Sequence, residues 1–532
     1  MGIYFSGGTI WSSFGKNINS LRVEDGLIVE VNGEAKPNDE IIDLEDKFLA
    51  PAFMDGHAHP LFGGREGQGP KVNGLQSVEQ IIAAVKKYGD EHPNSSWIIG
   101  GAYEAAIIER GDFEASWLDQ AVSDRPVVLH AADHHTIWVN SKAIEISKLN
   151  EFKNDPEGGT IARNEDGSAR GTLREPAAIE LVLKNAPVRT IDDEVAAIKW
   201  ACDRYLESGV TATTDAWVEP GMAEAYIEAS KRGALTIDFN LCFLAQPGIW
   251  RERVEYFAKL RSEIEALGPD SKLAAKTIKF IGDGALSSGT AALLEPYLDD
   301  QTTSGLLIWS DEELTEAATY FDSQGYQLHM HAIGDAAVRQ ALDVIEKVKN
   351  INKPWDRRSI IVHAQLIAES DLPRFKELEV IANYQPLWCY LDPMNKELIA
   401  PRIGDDRNNR QYQLASMVKT GARISYGSDW PVTSYVPLEA LSVPTHRQSP
   451  EGYPPEGWSA HEAISVEESL SFYTAGVAYQ NFQEGKFGKL EVGFAADLVV
   501  LSGDPLAINP REVSNLKVVA TYKSGELIVT FK

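Results

Sequence analysis

Length, composition and charge already limit what this chain can be. It has 532 residues, of which 43% are hydrophobic, and a formal net charge of −28 at pH 7. That length supports a large core with an accessory domain. The acidic charge argues against nucleic acid or an anionic membrane as a partner, because phosphate binding needs clustered cations. Since no uninterrupted apolar run reaches the ~18 residues of a membrane-spanning helix, we expect no membrane partner.

The spacing of the cysteines and the composition of the first residues indicate in which cellular compartment the protein is expected. Cys202, Cys242 and Cys389 are far apart and form neither a CxxC motif nor a disulfide framework. The opening stretch MGIYFSGGTIWSS lacks the basic region and apolar run of a secretory signal. We therefore predict a cytoplasmic protein.

From about residue 190 onward, amphipathic helices and short apolar strands alternate. DDEVAAIKWACDRYLESG has helical apolar spacing, ends at Gly209 and is followed by VTATTDA. SDEELTEAATYFDSQG opens on Ser310, a candidate N-cap, and leads into YQLHMHA. The candidate strands are PAFMDGHAH, VTATTDA, TIDFNLCFL, KTIKFIGDG, YQLHMHA, SIIVHAQL, VIANYQPL and RISYGSDWP. Their alternation with helices predicts an α/β fold, a (β/α)8 TIM barrel of parallel strands.

Two regions depart from this alternation. Roughly 150 residues separate the first strand, which ends near His59, from the second, which starts near Val210, and a βα connection needs far fewer. We therefore predict a subdomain at about 61–190, inserted into a barrel domain of 51–485. Residues 1–50 and 486–532 instead contain short β-rich runs with turn residues between them. Both chain ends are expected to form one small β-sandwich domain.

Polar residues cluster at the ends of the predicted barrel strands, where such barrels carry their active sites. The first strand ends in His57 and His59, which strand geometry puts on one face, so both imidazoles can reach one metal ion. Further candidates are Lys279 and Asp283 on the fourth strand, His329 and His331 on the fifth, His363 on the sixth and Asp429 on the eighth.

Each of these residues also has a structural interpretation. An HxH pair can be a turn with satisfied hydrogen bonds, His363 alone is typical of a buried core histidine, and Asp429 alone could cap a loop. Packing explains their coincidence at strand ends poorly, because several buried polar groups would need partners there. The set therefore predicts a metal site.

Several motifs resemble those of the amidohydrolase superfamily, and they extend over nearly the whole chain: LAPAFMDGHAHP, DHHTIWVNSKAI, KFIGDGALSSGTAAL, HMHAIGDAAV, GSDWPV and GKLEVGFAADLVVLSGDP. They are most similar to its branch of YtcJ-like and N-substituted formamide deformylase-like hydrolases. The resemblance implies a barrel with a β-sandwich built from both termini, and a metal-dependent hydrolase. It does not specify a substrate.

The resemblance also implies metal ligands. His57 and His59 would bind the more buried ion together with Asp429, and His363 would complete a second site. Imidazole and carboxylate donors accept several divalent ions, of which we expect zinc, with one or two ions per chain.

Further ligands follow from the same resemblance. His331 would be the fifth-strand ligand because it directly precedes Ala-x-Gly-Asp, and His329 on the same strand face stays open as the alternative. Lys279 would bridge two ions as an N-carboxylated lysine, whereas a surface or ion-paired lysine is its structural interpretation. Glu175 is a candidate for another bridge or for a substrate contact, and equally for a solvated carboxylate at a helix start.

Two kinds of residue are candidates for substrate contact. Relatives usually have Asp-Gly-His where this chain has residues 133–135, so His135 is expected to contact the substrate or transition state and His134 to be structural. Several tryptophans fall near predicted strand or loop ends and could line an apolar pocket, although core packing is the commoner fate of each. Of these, Trp138 and Trp388 are the substrate-binding candidates.

These residues predict hydrolysis of an amide-type C–N bond in a small molecule, such as an N-acyl, formamide or carbamate-like compound, by metal-activated hydroxide. Asp429 would accept the proton and return it to the leaving group. His135 would stabilise the developing oxyanion.

Two other functions use the same fold. A mononuclear deaminase would rely on His57, His59, a fifth-strand histidine and Asp429 without a lysine carbamate, and it would release ammonia. A non-catalytic scaffold is disfavoured, because it has no need to keep every ligand. The sequence sets no oligomeric state and leaves a homodimer open.

Overall fold

The computed structural model describes residues 2–132, 135–156 and 158–530. Asp133 and His134, and with them the predicted structural role of His134, lie outside the described residues.

The strands and helices follow in chain order. The chain begins with β1 (Ile3–Ser13), β2 (Lys16–Glu24), β3 (Leu27–Val31), β4 (Glu40–Asp43), β5 (Phe48–Pro51) and β6 (Phe53–Ala58). Next come α1 (Pro60–Gly67), α2 (Val78–Glu91), β7 (Ile98–Tyr103), α3 (Ala115–Asp119), β8 (Val127–Ala131), β9 (Thr136–Val139), α4 (Ser141–Ile146), β10 (Thr160–Arg163), β11 (Ala169–Arg174), α5 (Pro176–Leu183) and α6 (Ile191–Glu207). They are followed by β12 (Val210–Val218), α7 (Met222–Lys231), β13 (Asp238–Leu244), α8 (Trp250–Ala266), β14 (Leu273–Ile281), α9 (Asp311–Ser323), β15 (Gln327–Ala332), α10 (Asp335–Ile351), β16 (Ile360–His363), α11 (Leu372–Glu377), β17 (Ile381–Tyr384), α12 (Ala400–Asn408), α13 (Leu414–Thr420) and β18 (Arg423–Tyr426). The last elements are α14 (Pro437–Ala440), α15 (Val443–His446), α16 (Val466–Ser471), α17 (Val477–Gln480), β19 (Leu498–Leu501), β20 (Val518–Lys523) and β21 (Glu526–Thr530).

Eight parallel strands form the barrel, in the order β6-β12-β13-β14-β15-β16-β17-β18. Each of the eight candidate strands is one of these, so the predicted (β/α)8 barrel is confirmed. Where the last strand meets the first, a Cβ on Gly427 would lie 2.6 Å from the backbone nitrogen of His57. Only glycine permits this close approach of the two chain segments.

Local signals in the sequence mark the helices of the barrel. The Ser310 hydroxyl accepts a hydrogen bond from the backbone N–H of Glu313 at the start of α9, as expected of an N-cap. Gly209 has φ +79° just after α6, a left-handed conformation that suits glycine. Six of the seven residues of β13 are buried, which is typical of a parallel strand covered on both sides.

The two chain ends form a β-domain built on one eight-stranded sheet. Its order is β21-β20-β19-β5-β1-β2-β3, with β4 paired to β1. The apolar side chains of these strands form one core cluster, including Phe5, Leu21, Leu498 and Tyr522.

The chain divides into two compact units. Of the described residues, those within 1–59, 202–429 and 434–532 form the first, and those within 60–201 and 430–433 form the second. The second unit contains a five-stranded sheet of order β10-β11-β9-β8-β7, with two core clusters of its own. Over the described residues, every helix is too short or too polar to cross a membrane.

Substitution of the buried Lys523 should lower the free energy of unfolding. Lys523 of β20 forms ion pairs with Asp238 and, at 2.6 Å, with Asp497. Lys523→Met would leave both carboxylates without their cation in a largely buried site, so we expect a loss of about 3–5 kcal/mol, measured as a lower midpoint of chemical unfolding. The matched control Lys517→Met, at an exposed position just before β20, should change stability by less than about 0.5 kcal/mol. Equal shifts for the two variants would contradict this account.

Candidate metal centre

The candidate ligands lie at the carboxyl ends of barrel strands. His57 is the penultimate residue of β6, His363 is the last residue of β16, and Asp429 follows β18 by three residues. In a parallel barrel these ends face the same mouth, so residues distant in sequence meet there.

Donor atoms converge on the carboxylate of Asp429. The Nε2 atom of His57 lies 3.1 Å from Asp429 Oδ1, and the Nε2 atom of His59 lies 3.0 Å from the same oxygen. His57, His363 and Asp429 offer ligand atoms that all lie within 4.8 Å of one another. Tetrahedral coordination with bonds of about 2.0–2.1 Å separates ligand atoms by about 3.3 Å. The residues therefore fit a divalent ion such as zinc in donor type and in spacing.

Two of these ligands have an unusual backbone conformation. His363 has φ +71° and Asp429 has φ +57°, the left-handed region that non-glycine residues rarely adopt. Such a conformation costs about 1–3 kcal/mol and persists where surrounding contacts hold it. For Asp429 one such contact is its backbone N–H, which donates to the His57 carbonyl at 2.8 Å.

Asp55 holds the first strand against the loop that carries Asp429. Its buried carboxylate accepts hydrogen bonds from Ser428, through the hydroxyl at 2.6 Å and the backbone N–H at 3.0 Å, and from the hydroxyl of Tyr205 at 3.1 Å. Burial raises the pKa of Asp55 to about 6, although these hydrogen bonds oppose the shift. Sequence reasoning gave Asp55 no role. Its position two residues before His57, on the same strand face, was the available signal.

The protonation states suit metal binding. Burial, with the positive charge of Lys279 second, lowers the pKa of His57 well below its usual value, and burial does the same for His363. Burial alone would raise the pKa of Asp429, but the hydrogen bond with His59 and neighbouring charges lower it overall. At neutral pH His57 and His363 are therefore neutral imidazoles and Asp429 is a carboxylate, the forms that bind metal ions.

Lys279 lies inside the barrel. Only 1% of the residue is exposed, and it pairs in register with His329 on the next strand. Burial lowers the pKa of Lys279 to about 8, while Asp429 and Cys242 act in the opposite direction. The interpretation of Lys279 as a surface lysine is therefore excluded.

The two histidines of β15 occupy different places. His329 is fully buried, and its Nε2 lies 2.9 Å from Nδ1 of His57. The ring of His331 lies against His363, with centroids 4.5 Å apart, and its Nε2 is 3.5 Å from Asp283 Oδ1. Both side chains thus adjoin a candidate ligand, and His331 as the metal ligand stays a prediction.

Asp283 organises the loops beside His331. Its buried carboxylate accepts hydrogen bonds from the backbone N–H groups of Ala292, Ile333 and Gly334 at 2.8–3.0 Å. These bonds tie the segment after β14 to the segment after β15.

The remaining site candidates are divided between the units. In the second unit, the exposed His135 Nδ1 lies 3.0 Å from Glu175 Oε2, and Glu175 has φ +67°. Their catalytic and substrate-binding roles stay predictions. Trp138 is fully buried among aromatic rings of that unit, and its Nε1–H donates to the Glu114 carbonyl, which favours core packing over substrate contact.

Trp388 lies in the first unit, beside the candidate ligands. Its ring stacks on that of His363, with centroids 5.5 Å apart and planes 4° from parallel. The side chain is partly exposed. This placement is compatible with the predicted substrate contact, which stays a prediction.

Known proteins resemble this chain over nearly its full length. YtcJ of Bacillus subtilis (strain 168) is 28% identical over 537 residues, which cover 98% of this chain and 98% of YtcJ. N-substituted formamide deformylase of Arthrobacter pascens is 26% identical over 94% of this chain and 92% of its own.

Among solved structures, an uncharacterized metal-dependent hydrolase from Pyrococcus furiosus has a TM-score of 0.74 and 27% identity, covering 95% of this chain and all of its own. Its counterpart from Pyrococcus horikoshii OT3 has a TM-score of 0.76 and 25% identity, covering 96% of this chain and 99% of its own.

The family comparison agrees with the barrel fold. The model of the amidohydrolase family matches residues 40–529, which include every strand of the barrel. The chain therefore belongs to the amidohydrolase family.

Proposed function

We propose that this protein is a metal-dependent hydrolase that cleaves an amide-type C–N bond of a small molecule, such as an N-acyl, formamide or carbamate-like compound. The convergence of His57 and His59 on the Asp429 carboxylate carries the proposal. Two similar structures are described as metal-dependent hydrolases, which supports metal dependence. The 26% identical deformylase acts on N-substituted formamides by its name, which supports a C–N bond as the target.

His57, His59 and Asp429 would hold one ion, with His363 as a donor toward a second, and zinc suits these ligands. When bound, the ion supplies a water molecule of lowered pKa and polarises the substrate carbonyl.

Asp429 is the proposed proton carrier. Its pKa is held below the usual value, so the group is ionised at neutral pH, and we propose that this carboxylate takes the proton of the attacking water and returns it to the leaving amine. The backbone of Asp429 is fixed by the His57 carbonyl, and its neighbour Ser428 is fixed by Asp55. This support keeps the carboxylate in one orientation during proton transfer.

Lys279 is the proposed bridge between two ions. In N-carboxylation the neutral amine attacks carbon dioxide, a new N–C bond forms, and an N–H proton leaves to solvent. A pKa of about 8 gives the buried amine an appreciable neutral fraction near neutral pH. The product is a carbamate anion, which can bind two cations where an ammonium group cannot.

We also propose His135 as the oxyanion contact and Trp388 as a wall of the substrate pocket. The stack of Trp388 on His363 supports the second assignment. Cys202, Cys242 and Cys389 are buried and unpaired by disulfides, which supports a reducing compartment and the proposed cytoplasmic location.

Asp429→Asn should lower turnover of an N-acyl or formamide substrate by roughly 10²- to 10⁴-fold, because the amide cannot carry the proton. We expect the variant to keep part of its metal, measured by elemental analysis alongside kcat. Asp406→Asn, an exposed position in α12, is the matched control and should behave as the unsubstituted protein. An inactive Asp429→Asn protein without metal would show that Asp429 is only a ligand.

Zinc should stabilise the chelator-treated protein by about 2.7 kcal/mol when free zinc is 100 times its Kd, read as a rise in Tm. His59→Gln should reduce this stabilisation because it removes an imidazole donor. His461→Gln is the control, since that side chain is 67% exposed and adjoins Glu462 rather than the site. A zinc response that survives intact in His59→Gln would exclude His59 as a metal ligand.

Carboxylation of Lys279 can be detected without a substrate. Protein equilibrated with ¹³C-bicarbonate should show a bound carbamate signal in its NMR spectrum and hold two ions. Lys279→Met should lose the signal and one ion. Lys276→Met, at an exposed position of the same strand, should keep both. One ion, a bare amine and ammonia as the product would contradict the binuclear hydrolase and indicate a deaminase.

A further inference from the structure

Buried amide and hydroxyl groups connect the ligand His363 to the backbone of β6. They lie on or beside the last two barrel strands and at the end of α17, and all are 0% exposed. We call them the amide chain, which consists of Gln385, Asn383, Ser425 and Gln480.

The backbone carbonyl of Gly56, at the end of the amide chain farthest from His363, sets the direction of these hydrogen bonds. The Gly56 carbonyl can only accept, so Gln480 must point its Nε2 toward it, at 2.7 Å. Consequently Gln480 Oε1 accepts from Asn383 Nδ2 at 3.1 Å and from the Ser425 hydroxyl at 2.5 Å. The Oδ1 atom of Asn383 then accepts from Gln385 Nε2 at 3.2 Å.

This direction determines the proton position on His363. With its Nε2 donating to Asn383, Gln385 presents Oε1 to His363 Nδ1 at 2.8 Å. An amide oxygen cannot donate, so the hydrogen bond requires the proton on Nδ1. A neutral imidazole has one N–H group, and its Nε2 is then left with a lone pair.

The amide chain packs so closely against Gly56 that a side chain there would clash with it. A Cβ on this residue would lie 2.8 Å from Asn383 Nδ2 and 3.0 Å from Gln480 Oε1, and 2.7 Å from the backbone carbonyl of Tyr426. The glycine thus leaves room for the amides directly beside His57. The amide chain thus adjoins the strands that carry the candidate ligands His57 and His363.

We propose that Gln385 is a positioning residue of the metal centre, which together with the amide chain fixes the Nδ1–H tautomer of His363 and thereby makes Nε2 its metal-binding atom. This inference rests on the proposed metal-dependent function for its consequence, but the tautomer itself is a property of the protein without metal. Outer hydrogen bonds of this kind orient ligating imidazoles and raise their basicity.

The tautomer can be read directly. In chelator-treated protein labelled with ¹⁵N-histidine, long-range proton–nitrogen NMR distinguishes Nδ1–H from Nε2–H, and His363→Gln assigns the signal. We expect Nδ1–H in the unsubstituted protein. Gln385→Leu should lose this preference, and Gln385→Glu should retain it because a carboxylate can only accept. An Nε2–H imidazole in the unsubstituted protein would overturn the inference without any variant, even if Gln385→Leu fails to fold.

Metal affinity provides the second readout. Gln385→Leu should weaken zinc binding roughly 10- to 100-fold in competition with a chelator, whereas Gln385→Glu should restore much of it. Gln340→Leu is the matched control, a buried glutamine of α10 that donates to the Trp309 carbonyl, and its zinc affinity should be unchanged. Unchanged affinity in Gln385→Leu, or an equal loss in Gln340→Leu, would refute a positioning role.

The two readouts separate this inference from the proposed function. A protein with the Nδ1–H tautomer that binds neither zinc nor another divalent ion would refute the proposed metal-dependent function while the amide chain's control of His363 stands. A protein that binds zinc through an Nε2–H imidazole would refute the inference alone.

Discussion

The candidate metal centre depends on the close approach of the first and last strands of a nearly closed barrel. His59 and Asp429 are 370 positions apart in the chain, yet their polar atoms lie 3.0 Å from each other. They meet because the segment after β18 packs on the backbone of His57, where Gly427 allows close contact and the Asp429 backbone N–H donates to the His57 carbonyl. Without this contact between the segment after β18 and the end of β6, the two histidines of the HxH motif would not meet the Asp429 carboxylate.

The sequence was sufficient to predict the barrel and the convergence of the polar residues at its strand ends. Apolar runs between amphipathic helices mark each strand, Ser310 marks a helix start, and parallel strands must expose their carboxyl ends at one mouth. The burial of Trp138 could not be predicted in this way, because it depends on how five strands of the second unit pair. The burial of Lys279 could not be predicted either, because it depends on how the barrel strands surround its side chain.

Supporting residues were harder to predict than ligands. No local sequence motif marks Asp55, Gln385 or Gln480 as a supporting residue. Their importance lies in hydrogen bonds to residues far away in the chain. Periodicity reports which face of an element is buried, but it does not report which buried polar groups meet. A buried amide within an apolar strand, such as Asn383 in IANY, is the signal that remains, since such a group needs partners.

The single direction of the amide chain has an electronic consequence for the candidate metal centre. Its amide and hydroxyl dipoles are aligned head to tail, with the oxygen end at His363 and the N–H end at Gly56. Aligned groups polarise one another in a low-dielectric interior, so the partial negative charge facing the imidazole exceeds that of an isolated amide. That charge pushes electron density through the ring toward Nε2. The amide chain therefore makes Nε2 of this candidate ligand a stronger electron-pair donor, and it does so through an amide rather than a carboxylate.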